Sequence, residues 1–225
     1  VVAIKGGRYG AGALAAHLHT GTLVGSGVVA DAALRRAGVL RVEGLRELFE
    51  AAEIMGRFRP LRRGRLAIAT NAGAAGVLAV DRLMDVGGEL AALSPETGAA
   101  LDAVVPDGRG SSNPVDIEGD AGPERYLAAL DALSADPGVD ALLAMHSPTG
   151  FSEPLTVAEA VAGCLDRGTL RSKPVLSCWL GGAAARAGRA VLQKAGVASY
   201  ESPAPAAAAV RHLTDWGRAQ AALQI

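Results

Sequence analysis

The amino-acid sequence predicts an α/β protein built on a parallel sheet with helices on both faces. Short runs that are apolar throughout alternate with alanine-rich stretches of helical period along the 225 residues. Strands of that kind are typical of parallel sheets that are buried on both sides. Half of the residues are hydrophobic but only 4% are aromatic, so alanine, valine and leucine are expected to form the core.

The first part of the chain, residues 1–58, contains enough elements for about half a domain. Its apolar runs predict two strands, and apolar residues at helical spacing predict three helices. In order, these are a strand over 1–4, helices over 9–18 and 28–38, a strand over 39–42 and a helix over 44–58. Gly38 is expected to cap the second helix. One face of the third helix carries Leu45, Leu48, Phe49, Ala52 and Met55.

A short segment with a proline and four arginines, residues 59–65, interrupts this pattern and is interpreted as a linker. Strands and helices alternate again over residues 66–225. The strands predicted there are 66–70, 89–93, 113–117, 139–145, 174–180 and 197–202. Such strand–helix units suit a complete, doubly wound, flavodoxin-like domain. We therefore predict one such domain at 66–225, preceded by part of a second flavodoxin-like domain at 1–58.

Charge, apolar runs and cysteine usage exclude several classes of partner. The 22 basic and 23 acidic residues nearly cancel, which is unlike the basic footprint of a nucleic-acid-binding protein. No apolar stretch reaches the roughly 18 residues of a membrane-spanning helix, and no signal-peptide pattern is present. Cys164 and Cys178 lack metal-type spacing and are expected to be buried. The predicted protein is cytoplasmic and binds no nucleic acid, membrane or metal through this chain.

The loop "TNAGAAG" (70–76) directly follows a predicted strand and opens a helix. Ligands of doubly wound folds bind at such places, beyond the carboxyl ends of the strands. The small residues let backbone N–H groups approach an anion, and Thr70 and Asn71 could add side-chain donors. Small residues would equally allow tight packing of the helix on the strand. Phosphate binding and close packing both remain open.

Other polar residues also follow predicted strands. In "SSNPVDIEGD", Asp116 and Glu118 are two residues apart and would share one face of a strand. They could form an acid–base or metal-binding pair, or serve as capping and solvated residues. His146 is interpreted as a satisfied loop histidine, and Trp179 as a core residue or domain contact. His212, in the last predicted helix, is expected to be a surface or packing residue.

Two histidines precede a glycine-rich loop in "HLHTGTLVGS" (17–26). On a helix, His17 and His19 would point about 200° apart, so they could not share a task there. His19 is predicted to follow the helix and to begin the loop. An imidazole can be phosphorylated transiently, and a mobile loop near helix N-termini could serve phosphoryl transfer. An inert loop histidine is the alternative.

Several stretches together resemble a known family. "KGGRYGAGALAAHLHTGTLVGS" resembles the "KSGRSEAGARAAASHTGALAGS" pattern of the NDP-forming acyl-CoA synthetases, which are relatives of succinyl-CoA synthetase. "LAIATNAGAAGVLAVDRL", "LSPETGAAL", "NPVDIEGDAGPERYLAALDAL" and "KPVLSCWLGG" resemble the next domain of that family, in the same order. The resemblance covers essentially the whole chain, and the order of several independent motifs makes it specific.

The resemblance implies an acid–thiol ligase that interconverts acyl-CoA, NDP and phosphate with acid, CoA and NTP through an acyl phosphate and a phosphohistidine. His19 falls on the histidine of the family's "SHTG" and would carry the phosphoryl group, whereas His17 has no role. The implied phosphate-binding residues are Thr20, Gly21, Thr70, Asn71, Ala72, Gly73, Ala74 and Gly76. Asn113 and Asp116 of "NPVD" would lie at the edge of the acyl and phosphate site.

The resemblance also implies components outside this chain. CoA, ADP or ATP, and Mg²⁺ would be bound mainly by a CoA-binding domain and an ATP-grasp domain. The first would precede residue 1, and the second would lie elsewhere or in another subunit. The chain itself would contact acyl-CoA and phosphate, and an oligomer is expected.

Three departures from the family pattern keep other hypotheses open. Leu18 replaces a serine beside the histidine, Gly10 replaces a glutamate, and Ala74 and Ala75 replace Gly-Pro. One alternative is a drifted, less active enzyme. Another is the non-catalytic, ligand-sensing, synthetase-like region of a protein lysine acetyltransferase. A general nucleotide or flavin binder is supported by the fold class alone.

Overall fold

The computed structural model describes residues 1–21, 24–106, 112–166, 170 and 173–223. The chain forms two compact units, the first from Val1–Arg62 together with His212–Ile225 and the second from Arg63–Arg211. The division after residue 62 falls inside the predicted linker, and the end of the chain belongs with the first unit. The functional domain limits proposed from the sequence stay a prediction.

The first unit combines a small parallel sheet with helices. Strand β1 (Val2–Ile4) pairs with β2 (Leu40–Val42), and the helices are α1 (Gly10–Thr20), α2 (Gly27–Arg36) and α3 (Leu45–Arg57). Its buried cluster contains Leu40, Val42 and Ala51, with Val2, Ile4, Leu48 and Met55 packed against it. The order of strands and helices is the one that the sequence predicts.

Two predicted helix ends in this unit are corrected. Helix α1 does not stop before His19 but continues to Thr20, because its alanine-rich sequence favours helix until Gly21 adopts a left-handed φ of 67°. Helix α2 is capped by Ala37, one residue before the expected Gly38. Gly38 follows with a φ of 66°, and its N–H donates to Arg35 O over 3.1 Å.

The face of α3 that the sequence singles out is mostly outside the core. Leu45 and Phe49 are 68% and 69% exposed, whereas Ala51 and Ile54 are buried. At 100° per residue the buried stripe is rotated by about 90° from the predicted one, and the two share only Leu48 and Met55. Periodicity identified the helix, but not the side that packs.

In its described part, the second unit is a parallel sheet of six strands flanked by helices. The strands are β3 (Arg65–Thr70), β4 (Glu89–Leu90), β5 (Val115–Asp116), β6 (Ala141–His146), β7 (Val175–Trp179) and β8 (Ala198–Tyr200). The helices are α4 (Gly73–Asp85), α5 (Pro95–Asp102), α6 (Pro123–Ala135), α7 (Pro154–Asp166), α8 (Arg186–Lys194) and α9 (Pro203–Ala222), whose last residues belong to the first unit.

The strand order confirms the predicted fold class. The main path is β4-β3-β6-β7-β8, with β5 also pairing with β3 and all pairs parallel. This is the flavodoxin-like, doubly wound order, in which the sheet changes direction beside its first strand, β3. Every residue of β6 and β7 is buried, as expected for strands covered on both faces.

Strands β4 and β5 are shorter than predicted because they share one edge of β3. β4 pairs with Arg65 and Leu66 at the start of β3, and β5 pairs with Ala69 and Thr70 at its end.

Both cysteines are buried, as the sequence predicts, and burial raises the pKa of the Cys178 thiol to about 12. Across the described residues, no helix has the length and apolarity to cross a membrane, and no cluster of His, Cys, Asp or Glu is arranged for a metal ion.

Candidate functional site

Helix α4 begins shortly after the carboxyl end of β3, and its first turn is partly exposed to solvent. Ala72 is the N-cap and provides no side-chain acceptor, and Gly73 and Ala74 follow in the first turn. The N–H groups at the start of a helix have no intrahelical acceptor, and the helix dipole favours negative charge there. Ala74 is exposed. The geometry therefore suits an anion at this helix start.

The two polar side chains before α4 are already engaged within the protein. Thr70 Oγ1 accepts from Ala72 N at 3.0 Å and lies 3.2 Å from Ala72 O. Asn71 Oδ1 accepts from Ser147 N, and Asn71 Nδ2 donates to Ser147 O, each over 2.8 Å. Both side chains are buried. They fix the loop, so the backbone N–H groups are the donors best placed for a ligand.

Two glycines of this loop lie close to neighbouring side chains. A Cβ on Gly73 would lie 2.5 Å from Asp116 Oδ2, and a Cβ on Gly76 would lie 3.1 Å from Thr70 Cγ2 and 3.2 Å from Pro114 Cβ. Close packing therefore accounts for Gly76. Gly73 instead makes room for a carboxylate at the start of α4, where the helix dipole stabilises negative charge.

Asp116 and Glu118 do not share a strand face as the sequence predicts. β5 ends at Asp116, and Glu118 has a left-handed φ of 71°. The Glu118 N–H donates to Asp116 Oδ1 at 3.1 Å, which turns the chain immediately after the strand. The expected shared strand face is therefore absent, because this turn interrupts the alternation of side chains between the two faces.

Asn113 forms hydrogen bonds with the middle of β3, on the edge between the residues that pair with β4 and those that pair with β5. Its Oδ1 accepts from Ile68 N at 3.0 Å, and its Nδ2 donates to Leu66 O and Ala91 O at 2.8 and 2.9 Å. An amide side chain thus replaces the backbone hydrogen bonds that an unbroken strand would make. Asn113 positions Asp116 and the loop after it.

A buried aromatic cluster lies at the carboxyl ends of β6 and β7. The His146 ring stacks on Trp179 with centroids 5.3 Å apart and lies 5.8 Å from the Tyr126 ring. His146 Nε2 is 3.0 Å from Ser152 Oγ, and burial lowers the pKa of His146 to about 4. Trp179 is fully buried and donates to Pro154 O at 2.9 Å, as a core residue.

The loops after β5 and β6 form the walls of an open cavity of about 560 Å³, lined by Pro106 and by residues 118–120 and 149–151. Thr149 Oγ1 donates to Gly119 O over 2.7 Å and so joins the two loops. The Phe151 ring is 84% exposed at this cavity. Glu118, at the edge of this cavity, donates its N–H to Asp116, whose carboxylate lies beside Gly73 at the start of α4.

His19 belongs to the first unit, in the last turn of α1. His17, Leu18 and His19 are all exposed, with Leu18 at 77%. Thr20 Oγ1 donates to Ala16 O at 2.8 Å, and the Gly21 N–H donates to His17 O at 2.8 Å. The imidazole therefore stands on a formed helix end, and residues 22–23 of the predicted loop lie outside the described residues.

The structure brings together one part of the sequence-predicted site. Residues 70–76, Asn113 and Asp116 meet at one edge of the second unit, and the roles assigned to them and to His19 stay predictions. Sequence reasoning missed the Asn71–Ser147 pair and the bond between His146 and Ser152. Their positions after neighbouring strands were the available signal. His212 is buried, so it is a packing residue.

Comparison with known families and proteins identifies the class of protein. The succinyl-CoA ligase like flavodoxin domain matches residues 1–55, and the Ligase-CoA domain matches residues 66–224. The second match covers more than half of the chain. The chain therefore belongs to the Ligase-CoA domain family. Within the chain, a segment of the succinyl-CoA ligase type comes before the Ligase-CoA domain.

Particular relatives narrow this further. ADP-forming acetate–CoA ligase I of Archaeoglobus fulgidus is 35% identical over 98% of this chain and 31% of its own length. The alpha subunit of ADP-forming acetate–CoA ligase II of Pyrococcus furiosus is 34% identical over 93% of this chain and 46% of its own length.

A solved structure, the dinucleotide-forming acetyl-coenzyme A synthetase 1 of Candidatus Korarchaeum cryptofilum in complex with phosphate and ADP, superposes with a TM-score of 0.90. It is 29% identical and is matched over 99% of this chain and 48% of its own. The chain thus spans from about a third to about half of the length of these relatives.

Proposed function

We propose that this chain is part of an NDP-forming acyl-CoA synthetase. Phosphate would displace CoA from the acyl-CoA to give an acyl phosphate, a histidine would take the phosphoryl group and release the acid, and NDP would take it from the histidine to give NTP. The observation that carries this proposal is the order of the two family domains, which ADP-forming acetate–CoA ligases match over nearly the whole chain.

His19 is the proposed phosphoryl carrier. Its imidazole is exposed, as a group that must meet two reaction partners has to be. It stands at the C-terminal end of α1, where the helix dipole opposes a bound phosphoryl group. The phosphohistidine would therefore need hydrogen-bond donors from outside α1, such as those that helix N-termini provide.

The proposed phosphate-binding group in the second unit is the start of α4. The N–H groups of Gly73 and Ala74 would bind the anion, while Thr70, Asn71 and Gly76 would keep the loop in shape. Asp116 already places a carboxylate beside Gly73. We expect its negative charge to repel the phosphate, which would therefore bind at the outer N–H groups, away from Asp116.

We propose that the adjoining cavity receives the acyl group. Glu118 at its edge donates to Asp116, which lies beside the start of α4, so an acyl phosphate held there could extend towards this cavity. Its walls come from residues 118–120 and 149–151. Asp120 is paired with Arg125, so Glu118 is the carboxylate at these walls that would disfavour a second carboxylate on the substrate.

The remaining steps are assigned to domains that the longer relatives contain. CoA, ADP or ATP, and Mg²⁺ would be held mainly by a CoA-binding domain and an ATP-grasp domain, in an oligomeric enzyme of the cytoplasm. The relatives described above are ligases and synthetases, which favours an enzyme over the ligand-sensing alternative.

Radioactive phosphate in the γ-position of ATP tests the proposal in the complete enzyme. The label is expected on the protein in an acid-labile, base-stable form. It should be lost in His19→Ala and kept in His17→Ala, a matched control because both residues are exposed on the same helix. Label that persists in His19→Ala would refute the carrier role, and wild-type protein that takes up none would favour the sensing region.

A further inference from the structure

The hydrogen bonds around His146 define its tautomer. Ser152 Oγ donates to Ala121 O at 2.6 Å, and a hydroxyl has a single proton. Ser152 Oγ can therefore only accept from His146 Nε2, which lies 3.0 Å away. The proton of the neutral ring is on Nε2. Nδ1 is then a buried acceptor, for which the described residues provide no partner.

This relay connects three chain segments at the edge of the sheet. His146 ends β6, Ser152 lies in the loop after β6, and Ala121 lies in the loop after β5. Thr149 joins the same two loops by donating to Gly119 O, and it accepts from the N–H groups of Phe151 and Ser152 at 3.2 and 3.0 Å. The relay thus lies behind the cavity walls, next to Thr149 and Phe151.

Packing of the core alone does not explain why residue 146 is a histidine. An apolar side chain could pack between Trp179 and Tyr126 and would avoid a buried acceptor without a partner, which lowers stability. What an apolar side chain cannot do is donate to Ser152. The arrangement favours orientation of Ser152 as the task of His146.

We infer that His146 is a positioning residue that, as the Nε2–H imidazole, acts through Ser152 to hold the Thr149–Phe151 wall of the cavity in place. The identification of the cavity ligand as an acyl group rests on the proposed function. His146 itself lies behind the wall and is fully buried, so it acts on the ligand only through the loop.

Steady-state kinetics of the complete enzyme test the inference. His146→Leu fills the space without a donor, Ser152→Ala removes the acceptor, and His146→Gln keeps an N–H donor. Loss of one buried hydrogen bond that orients a binding wall should raise KM for the acid about tenfold with kcat little changed. His146→Gln should restore KM to within about threefold, and the double variant should be no worse than either single variant because both break one relay.

Two measurements apply whether or not the proposed reaction exists. Nitrogen-15 NMR of the imidazoles should show a ring with unprotonated Nδ1 that disappears in His146→Leu. Amide hydrogen exchange at Phe151 and Ser152 should speed up about tenfold in His146→Leu and Ser152→Ala, but not in His146→Gln. Exchange that is unchanged in His146→Leu, an Nδ1–H tautomer, or a His146→Gln variant as impaired as His146→Leu would overturn the inference. If the wild-type enzyme takes up no phosphoryl label but shows the predicted amide hydrogen exchange, the proposed function is refuted and the role of His146 is not.

Discussion

The two units differ in how they hold the residues assigned to the reaction. In the second unit, Asn71, Asn113 and Asp116 are each held by hydrogen bonds to neighbouring loops or strands. In the first unit, neither α1 nor α2 contributes a buried residue among those described, and His19 is exposed. The difference teaches that the residues proposed to bind phosphate are fixed by the second unit itself, whereas the proposed carrier His19 is exposed to solvent. Substitutions in the two units should therefore have unequal effects.

The largest effect is expected from Asn71→Ala. The change leaves the half-buried N–H and C=O of Ser147 without their partner, and each such loss costs about 1–3 kcal/mol. We expect the free energy of unfolding of the second unit to fall by about 3 kcal/mol. Thr20→Ala is the matched control in the first unit, because Thr20 is exposed and its bond to Ala16 O is open to solvent, so the change should cost about 0.5 kcal/mol or less. Urea denaturation measures both, and equal losses would contradict the comparison.

Gly73→Ala should have the next largest effect. Its Cβ would lie 2.5 Å from Asp116 Oδ2, so the carboxylate or the start of α4 must shift, at about 1–3 kcal/mol. Gly122→Ala provides a control at another helix start, since a Cβ there meets nothing within 4 Å. Adding Asp116→Ala to Gly73→Ala should recover part of the loss. A stable Gly73→Ala protein would show that the start of α4 is not shaped around the carboxylate.

Acid should destabilise the second unit through His146. Burial lowers the pKa of His146 to about 4 from the ordinary 6.5, so the unfolded chain binds an extra proton between these values. Stability from the neutral ring is complete above pH 6.5 and is lost as the pH falls towards 4. The slope should approach, at most, about 1.4 kcal/mol per pH unit.

His146→Leu should remove that slope. Asp140, whose pKa is lowered by the hydrogen bond from Arg65, affects stability only at lower pH, because its effect is complete above the ordinary value of 3.8. Denaturation midpoints between pH 4.5 and 7 therefore separate the two groups. A slope that is the same in His146→Leu would assign the acid sensitivity to other residues.

The fold could be predicted from the sequence because local signals determine it. Strands such as β3, β6 and β7 are continuous apolar runs, and the stretches between them have helical period, so their order and the doubly wound class follow. The length of β4 could not be predicted, because it depends on the Asn113 amide that fills the rest of the edge. That bond joins residues far apart in sequence and has no local signature.

The candidate site could be predicted in part for the same reason. The small residues of 70–76 mark a helix start after a strand, and that start is observed. The pairing of Asn71 with Ser147 and the bond between His146 and Ser152 arise only when β3, β5 and β6 lie side by side. The position of His19 on a helix end was missed because the helix continues through it to Thr20, and a glycine-rich segment does not show where the helix stops.

The smallest effect is expected on the exposed side of α3. Phe49→Lys should change the free energy of unfolding by about 0.5 kcal/mol or less, because the ring is 69% exposed. Ile54→Ala, on the buried side of the same helix, should cost about 2–5 kcal/mol. Thermal and urea denaturation of the two variants measure the contrast within one helix. A large loss in Phe49→Lys would mean that the face predicted from the sequence does pack.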